Sequence, residues 1–313
     1  MKTLDQPGKA GSANWQTVGP FEQAKAKMHR QPFRVTHELV GNPLFSLPAL
    51  MEVAKQAARR PGDLYADTGD VKVADKWGEI PLVDRPIDEV LNRIQSAGAW
   101  IIMKHVEIDP AYAAVLNEFA EFVRSLAPAD PRFSISKPEM LILITSPKRL
   151  TSFHFDAEVN FLVQVQGSKR VWVCNPDDRF VTTESEIERY YMGNQSAGTY
   201  KPGVEDRAST FELNPGDAVF IPSHGAHWVQ NADNVSVSLS LNFELPPSTY
   251  KYPSITNYAL RRLGFQPRPL GKSLAADRLK AVTGVVALRS LTAVRWMKNR
   301  GQTSSSGRSM GKQ

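Results

Sequence analysis

Apolar residues recur at helical spacing in two stretches of the chain, 47–60 and 111–126. Residues three and four positions apart lie on one face of a helix, so each stretch can bury an apolar stripe. Asp109 followed by Pro110 is a typical start for the second helix, because aspartate caps free backbone amides and proline fits the first turn. We therefore predict two amphipathic helices.

Short runs rich in β-branched and aromatic residues predict strands, and they are densest between residues 150 and 245. The predicted strands are 99–106, 140–145, 153–166, 169–174, 218–221 and 235–243. Gln166-Gly167-Ser168 stands between two of them and predicts a hairpin turn. Helices on both sides of this strand-rich middle predict an α+β fold around a small β-barrel.

The predicted organisation has four parts. Residues 1–30 mix Gly, Pro, Ser, Gln and Lys without a period, so we expect a flexible N-terminal arm there. Residues 31–250 form the main domain, and 251–300 form a basic helical C-terminal extension. The remaining residues, 301–313, are rich in Ser and Gly and are expected to be a disordered tail.

Composition restricts the class of protein. With 42% hydrophobic and 22% charged residues, the 313-residue chain can form a sizeable core. None of its apolar runs reaches the roughly 18–20 residues that a membrane helix requires, and its start lacks the apolar stretch of a secretory signal. Cys174 is the single cysteine, so no disulfide can form within the chain. We expect a globular, cytoplasmic protein with no transmembrane segment.

The net charge of +6 is unevenly distributed. Residues 251–313 hold 13 Lys and Arg against one acid, Asp277, a net charge of +12 that leaves −6 for residues 1–250. A basic segment on an acidic body predicts an anionic partner for residues 251–313, which can be nucleic acid, a membrane surface or an acidic protein, and charge alone does not choose among them.

Candidate chemistry centres on His154 and Asp156. Residues i and i+2 of a strand point to the same face, so their imidazole and carboxylate can meet inside a barrel. His227 lies between two predicted strands and is the candidate second histidine, with His224 as the alternative. His105 has an acid at the same spacing but lies on a strand that enters a helix, and we interpret it as structural.

Two histidines and one carboxylate on one face leave open positions on a metal, which suits non-haem Fe(II) that handles dioxygen and a chelating co-substrate. Such a chelator needs a cation at its far end. Lys169 is the candidate, since it follows the Gly167 turn and can point its ammonium into the same cavity. Thr151 and Asn160 flank the His-x-Asp motif and can donate hydrogen bonds to carboxylates.

The motifs of residues 151–170, 220–222 with His227, and 240–243 resemble the cupin-like JmjC family of Fe(II)- and 2-oxoglutarate-dependent oxygenases. Within it the pattern is similar to that of the hypoxia-inducible-factor asparaginyl hydroxylase and of the tRNA wybutosine hydroxylase. The resemblance covers roughly residues 135–245. Many members have a bulky aromatic residue before the late histidine, whereas this chain has His224-Gly225-Ala226, which predicts a wider or differently gated cavity mouth.

The resemblance implies a double-stranded β-helix (jelly-roll or cupin) barrel with N-terminal and C-terminal helical additions. It further implies hydroxylation of a substrate with consumption of dioxygen and 2-oxoglutarate and release of succinate and CO2. The residues that it assigns are His154, Asp156 and His227 as iron ligands, Lys169 and Thr151 at the distal carboxylate of 2-oxoglutarate, and Asn160 and Asn242 in the cofactor pocket.

Several functional alternatives stay open at this stage. The substrate can be a protein side chain, a modified RNA base, or a lipid or small molecule, because the loops that select it carry no readable code. Related hydroxylases dimerise through C-terminal helices, which implies a homodimer. The alternative function is a catalytically inactive cupin-like regulator or binding protein whose basic C-terminal segment contacts nucleic acid or a partner.

Overall fold

A computed structural model describes residues 13–76, 79–286 and 288. The chain divides into two compact units, one of residues 1–183 and 198–245 and the other of residues 184–197 and 246–313. The tail predicted at 301–313 and most of the extension beyond residue 286 lie outside the described residues.

The strands of the first unit carry the candidate chemistry. They are β1 (Gln16–Thr17), β2 (Phe33–Thr36), β3 (Leu64–Thr68), β4 (Ala99–Met103), β5 (Ser136–Thr145), β6 (Leu150–His154), β7 (Val159–Gln166), β8 (Lys169–Cys174), β9 (Ala208–Leu213), β10 (Asp217–Ile221), β11 (His227–Asn231) and β12 (Ser236–Glu244). Within the described residues they form an eight-stranded sheet, β1-β2-β10-β7-β12-β5-β4-β3, and a four-stranded sheet, β6-β11-β8-β9. The pairings between the strands of each sheet are antiparallel.

The described residues of this unit also form four α-helices: α1 (Phe21–Lys27), α2 (Leu47–Ala57), α3 (Ile87–Asn92) and α4 (Pro110–Leu126). The helices predicted at 47–60 and 111–126 are confirmed as α2 and α4. The Asp109 side chain accepts a hydrogen bond from the Ala111 N–H at 2.8 Å and caps α4 as predicted.

Two apolar clusters lie on opposite faces of the large sheet. One joins the sheet to the helices, where Phe119 of α4 lies 5.0 Å from Phe161 of β7 between ring centroids. The other contains Leu162 and Val219 of the large sheet together with Val171 of the small sheet. The two sheets therefore face each other across a shared interior, and the predicted α+β double-stranded β-helix is confirmed.

The described part of the predicted flexible arm differs from expectation. Residues 13–30 contain β1 and α1, and Trp15 is buried, with its ring 4.4 Å from that of Phe119. This order depends on one aromatic anchor and on pairing with β2, neither of which produces a periodic pattern in the sequence. Residues 1–12 lie outside the described residues.

The predicted hairpin at Gly167 is wrong. β7 pairs with β10 and β12 of the large sheet, whereas β8 pairs with β11 and β9 of the small sheet. Gly167 has φ 72° and a Cβ there would lie 2.3 Å from the Val235 carbonyl oxygen, so the turn requires glycine. This turn carries the chain from one sheet to the other, an alternative that local turn chemistry cannot distinguish from a hairpin.

The single strand predicted at 153–166 is also wrong, since it is two strands on different sheets. β6 ends at His154, residues 155–158 cross between the sheets, and β7 begins at Val159. The alternation of apolar and polar residues continues across the break, from Phe153 to Asn160, so the sequence pattern is that of a single strand.

The second unit is helical. It contains α5 (Glu184–Tyr191), α6 (Lys251–Arg262) and a helical stretch over 274–286. Arg261 pairs with the buried Glu188 at 2.9 Å. A Cβ at Gly284 would lie 2.0 Å from the Tyr252 carbonyl oxygen, so glycine lets this helix approach α6 closely. Among the described residues no helix is long and apolar enough to span a membrane.

Candidate metal centre

The three predicted metal ligands meet at one end of the small sheet. His154 and His227 are paired across β6 and β11, with ring centroids 4.2 Å apart. Asp156 Oδ2 lies 3.8 Å from Nε2 of each histidine. One ligand atom from each residue lies within 4.8 Å of the others, a spacing suited to one metal ion.

Asp156 reaches this point from a different position than predicted. It lies two residues beyond the end of β6, in the crossing 155–158, rather than on the strand beside His154. Its side chain is 37% exposed, whereas that of His227 is 7% exposed. The cluster therefore opens to solvent on the side of the aspartate.

Hydrogen bonds fix the tautomer of both histidines. His154 Nδ1 lies 2.8 Å from the Ser152 carbonyl oxygen, and His227 Nδ1 lies 3.0 Å from that of Gly225. A carbonyl only accepts, so each Nδ1 carries the proton and each Nε2 keeps a lone pair directed at the cluster. This is the protonation that metal-binding histidines require.

Burial keeps the His227 ring neutral. Desolvation, followed by the adjacent His154, lowers the pKa of His227 to about 4, although Asp156 acts in the opposite direction. A neutral imidazole next to a carboxylate is a donor set that fits a divalent metal ion, because the imidazole does not have to lose a proton before it binds.

A β-bulge brings Thr151 onto the same face as His154. The partners of β6 on β11 are His227 for His154 and Val229 for Thr151, so two residues of β6 oppose Trp228 alone. The extra residue reverses the alternation of β6, because a one-residue shift moves the following side chains to the other face. Thr151 thereby lies on the same face of β6 as His154, and its contact with a co-substrate stays a prediction.

Lys169 is a buried cation on the same interior wall. It begins β8 opposite Asn231 of β11, four residues along the strand from Val173, the partner of His227. That offset corresponds to about 13 Å of strand, a gap that a lysine side chain and a short dicarboxylate can bridge together. The strand carrying Lys169 pairs with β11 and not with β6, which corrects the pairing expected from the sequence.

No described residue forms a hydrogen bond or ion pair with the Lys169 ammonium. The residue is 4% exposed, and burial alone lowers its pKa to about 7. A cation held in this way inside a protein is unfavourable unless an anion is supplied to it.

Asn160 and Asn242 lie opposite each other on β7 and β12 and face the interior. Asn160 Nδ2 donates to Asn242 Oδ1 at 2.6 Å and also contacts the Ser240 hydroxyl. The structure thus brings together the two asparagines that the sequence assigned to the cofactor pocket, as one hydrogen-bonded group.

Glu158 is an acidic residue near the cluster that the sequence pattern did not single out. Burial, followed by the charge of Asp156, raises the pKa of Glu158 to about 7. The only signal in the sequence was its spacing, two residues after Asp156.

His105 lies elsewhere: its Nδ1 is 2.8 Å from Asp63 Oδ1, in keeping with the structural interpretation. His224 is 3% exposed and is not one of the three clustered ligands.

Two imidazoles and one carboxylate on a double-stranded β-helix define the class of this protein, a cupin-type protein with a candidate site for one metal ion. The sequence profile of the cupin-like domain family matches residues 81–249, more than half of the chain. The chain belongs to the cupin-like domain family, and the predicted relation to its JmjC-type oxygenases is confirmed.

Solved structures of similar fold include YcfD of Escherichia coli. An X-ray structure of YcfD has a TM-score of 0.52, and a crystal structure that describes YcfD as a ribosomal oxygenase has a TM-score of 0.50. Both are 16% identical and cover 88% of this chain and 68% of YcfD. At this identity the likeness establishes the fold. The family match and the triad of His154, Asp156 and His227 together place the chain among enzymes of the 2-oxoglutarate-dependent oxygenase class.

Proposed function

We propose that this protein is an Fe(II)- and 2-oxoglutarate-dependent dioxygenase that hydroxylates a substrate bound on the exposed side of Asp156. His154, Asp156 and His227 are the metal ligands in this proposal. Lys169 and Thr151 hold the distal carboxylate of 2-oxoglutarate, and Asn160 and Asn242 line the pocket beside it. The iron with its bound co-substrates supplies the oxidising power for hydroxylation, and succinate and CO2 leave as co-products.

The observation that carries the proposal is the unpaired Lys169. A buried ammonium is retained on the wall that also holds the triad, and no described residue neutralises it. A carboxylate of the co-substrate would complete that environment with a charge-assisted hydrogen bond. A regulator without a co-substrate gives no physical reason for this residue, so the enzyme is favoured over the inactive alternative.

The side chains have separate tasks in the proposed reaction. Each histidine offers Nε2 to the metal because its Nδ1–H is held by a backbone carbonyl. The Lys169 ammonium fixes one end of the co-substrate, which leaves the other end free to chelate. The exposed edge of Asp156 marks the side from which the substrate enters.

The substrate is proposed only as a class: a protein side chain, a modified RNA base, or a lipid or small molecule.

For residues 251–313 we propose a second copy of the chain as the contact. Its support is a stripe of exposed apolar residues at helical spacing, Leu279, Val282 and Val286, each more than 60% exposed. A dimer in light scattering supports this contact, whereas a monomer that binds anionic polymers or vesicles points to the alternative partner.

The proposed activity is tested by the formation of succinate. The purified protein with Fe(II), 2-oxoglutarate and dioxygen should form succinate slowly, and faster when the true substrate is added. Asp156→Ala should abolish both rates, with folding checked by circular dichroism. Equal succinate formation by the wild type and Asp156→Ala would contradict the proposal.

A further inference from the structure

Segment 155–158, which carries Asp156 and joins β6 to β7, is hydrogen-bonded to residues that belong to neither strand. The Asp156 carbonyl oxygen accepts a hydrogen bond from the His224 N–H at 2.8 Å. The next carbonyl oxygen, that of Ala157, accepts from the Ser223 hydroxyl at 2.7 Å. Two consecutive carbonyls beside the aspartate are therefore bound by two consecutive residues of the turn that leads to His227.

That turn, residues 222–225, is conformationally restricted. The Gly225 N–H donates to the Pro222 carbonyl oxygen at 2.8 Å, and a Cβ at Gly225 would lie 2.9 Å from the same oxygen. His224 occupies the left-handed region at φ 61°, which is uncommon for residues other than glycine. A turn held this tightly allows little movement of one of its ends relative to the other.

The same turn also orients the third metal ligand. The Gly225 carbonyl oxygen accepts from His227 Nδ1 at 3.0 Å and so fixes the plane of that imidazole. One short segment thus contacts both the backbone of Asp156 and the ring of His227. The aspartate, which no strand positions, gains its place relative to the histidine through this segment.

We propose that Ser223 is a positioning residue of the metal centre. Its hydroxyl binds the segment that carries Asp156, and it belongs to the turn whose Gly225 carbonyl oxygen orients His227. This inference rests on the proposed metal site. Ser223 is 4% exposed, so water does not compete for its hydroxyl. Without that hydroxyl the Ala157 carbonyl loses a partner, and one hydrogen bond of the pair remains to hold the aspartate. Losing a group that orients a metal ligand typically weakens metal binding by about 10–100-fold.

The test measures Co(II) binding to the full-length protein without 2-oxoglutarate, by competition with a chelator and by the visible absorption of the bound ion. Ser223→Ala is compared with Ser146→Ala as the matched control. Ser146 is equally buried and its hydroxyl donates to the Ile94 carbonyl oxygen at 2.6 Å, in a loop that carries no ligand. Both variants lose one buried hydroxyl-to-carbonyl hydrogen bond. The Ser146 hydroxyl also accepts from the Ala99 N–H at 2.9 Å, so Ser146→Ala is expected to lose at least as much stability as Ser223→Ala and is a stringent control for a general loss of stability.

We expect Ser223→Ala to raise the Kd for Co(II) about tenfold and to alter its absorption, whereas Ser146→Ala stays within about twofold of the wild type. Wild-type affinity in Ser223→Ala, or equal weakening in both variants, would overturn the positioning role and leave the metal site standing. If the wild type binds no Co(II), or binds it as well after His227→Ala, the proposed metal site fails and this inference fails with it.

Discussion

Two buried cations of the first unit, Arg149 and Lys169, differ in whether an anion is paired with them. Arg149 is 5% exposed and forms an ion pair with Asp67, and it also donates to the Gly69 carbonyl oxygen. Tyr65 donates a further hydrogen bond to the same aspartate at 3.1 Å. Lys169 is 4% exposed, and no described residue pairs with it.

The difference separates a cation that stabilises the fold from one that is held for a ligand. Both side chains lose their hydration on folding, which is unfavourable unless an opposite charge replaces it. Asp67 supplies that charge to Arg149, whereas no described residue supplies it to Lys169, which lies on the wall shared with the proposed metal ligands. Substitution of Arg149 should therefore lower the stability of the fold, whereas substitution of Lys169 should lower the affinity for 2-oxoglutarate.

The largest effect is expected from Arg149→Met, which leaves Asp67 buried without its partner. Breaking a buried pair in this way destabilises a fold by about 3–5 kcal/mol, which urea denaturation would measure. Burial already raises the pKa of Asp67 despite the adjacent arginine, so the site is poorly solvated. The double change Arg149→Met with Asp67→Leu removes both charges and should recover part of the loss; no recovery would contradict an ionic origin.

Lys169→Met should show the reverse pattern. We expect the affinity for 2-oxoglutarate to fall about 100-fold, near 2.7 kcal/mol, since a charge-assisted hydrogen bond is lost. The unfolding free energy of the ligand-free protein should stay equal or rise, because an unpaired buried charge is removed. Calorimetric titration and urea denaturation measure the two quantities. A large loss of stability with unchanged affinity would make Lys169 a structural cation like Arg149.

The pH dependence of binding sharpens the contrast. Because burial lowers the pKa of Lys169 to about 7, the ammonium that binds a carboxylate is lost as pH rises through that value. Affinity for 2-oxoglutarate should fall by up to about tenfold per pH unit above pH 7. Lys169→Arg keeps its proton and should remove the slope. An identical slope in Lys169→Arg would assign it to another group.

The stability of the ligand-free protein should change with pH in the opposite sense. The pKa of Lys169 is lower in the folded chain than its ordinary value of 10.5, so the unfolded chain binds the extra proton between about pH 7 and 10.5. The contribution of Lys169 to stability therefore rises with pH across that window. Urea denaturation of the wild type and Lys169→Met at both ends of the window isolates this contribution.

The smallest effect is expected from Tyr65→Phe. This change removes one hydrogen bond to Asp67 but leaves the ion pair with Arg149, so stability should fall by about 1 kcal/mol. Affinity for 2-oxoglutarate should not change. A loss as large as that of Arg149→Met would show that the phenol, rather than the arginine, satisfies the buried carboxylate.

Much of the fold and the site followed from the sequence. Helices α2 and α4 have apolar stripes and a capping aspartate, and these local signals agree with the structure. The order of His154, Asp156, Lys169 and His227 along the chain was enough to suggest one metal centre. These residues are recognisable because histidine, aspartate and lysine side chains are rare on the interior wall of a barrel.

What the sequence did not reveal depends on pairing between distant strands. The turn at Gly167 has the composition of a hairpin, and only the pairing of β7 with β10 and β12, and of β8 with β9 and β11, shows that it joins two sheets. The bulge that turns Thr151 inward and the turn that fixes Asp156 are set by β11 and residues 222–225, about 70 residues away. Ser223 gave no signal at all, because a serine after a proline is an ordinary loop residue.

The central claim is that Lys169 and the triad bind one chelating co-substrate, and an anaerobic titration tests it most directly. Apo-protein is titrated with Fe(II) and then with 2-oxoglutarate, while the visible charge-transfer band of a chelated iron complex is followed. We predict a band in the wild type, its loss in His227→Ala and a much higher 2-oxoglutarate requirement in Lys169→Met. A folded protein that binds Fe(II) yet develops no band would contradict the account.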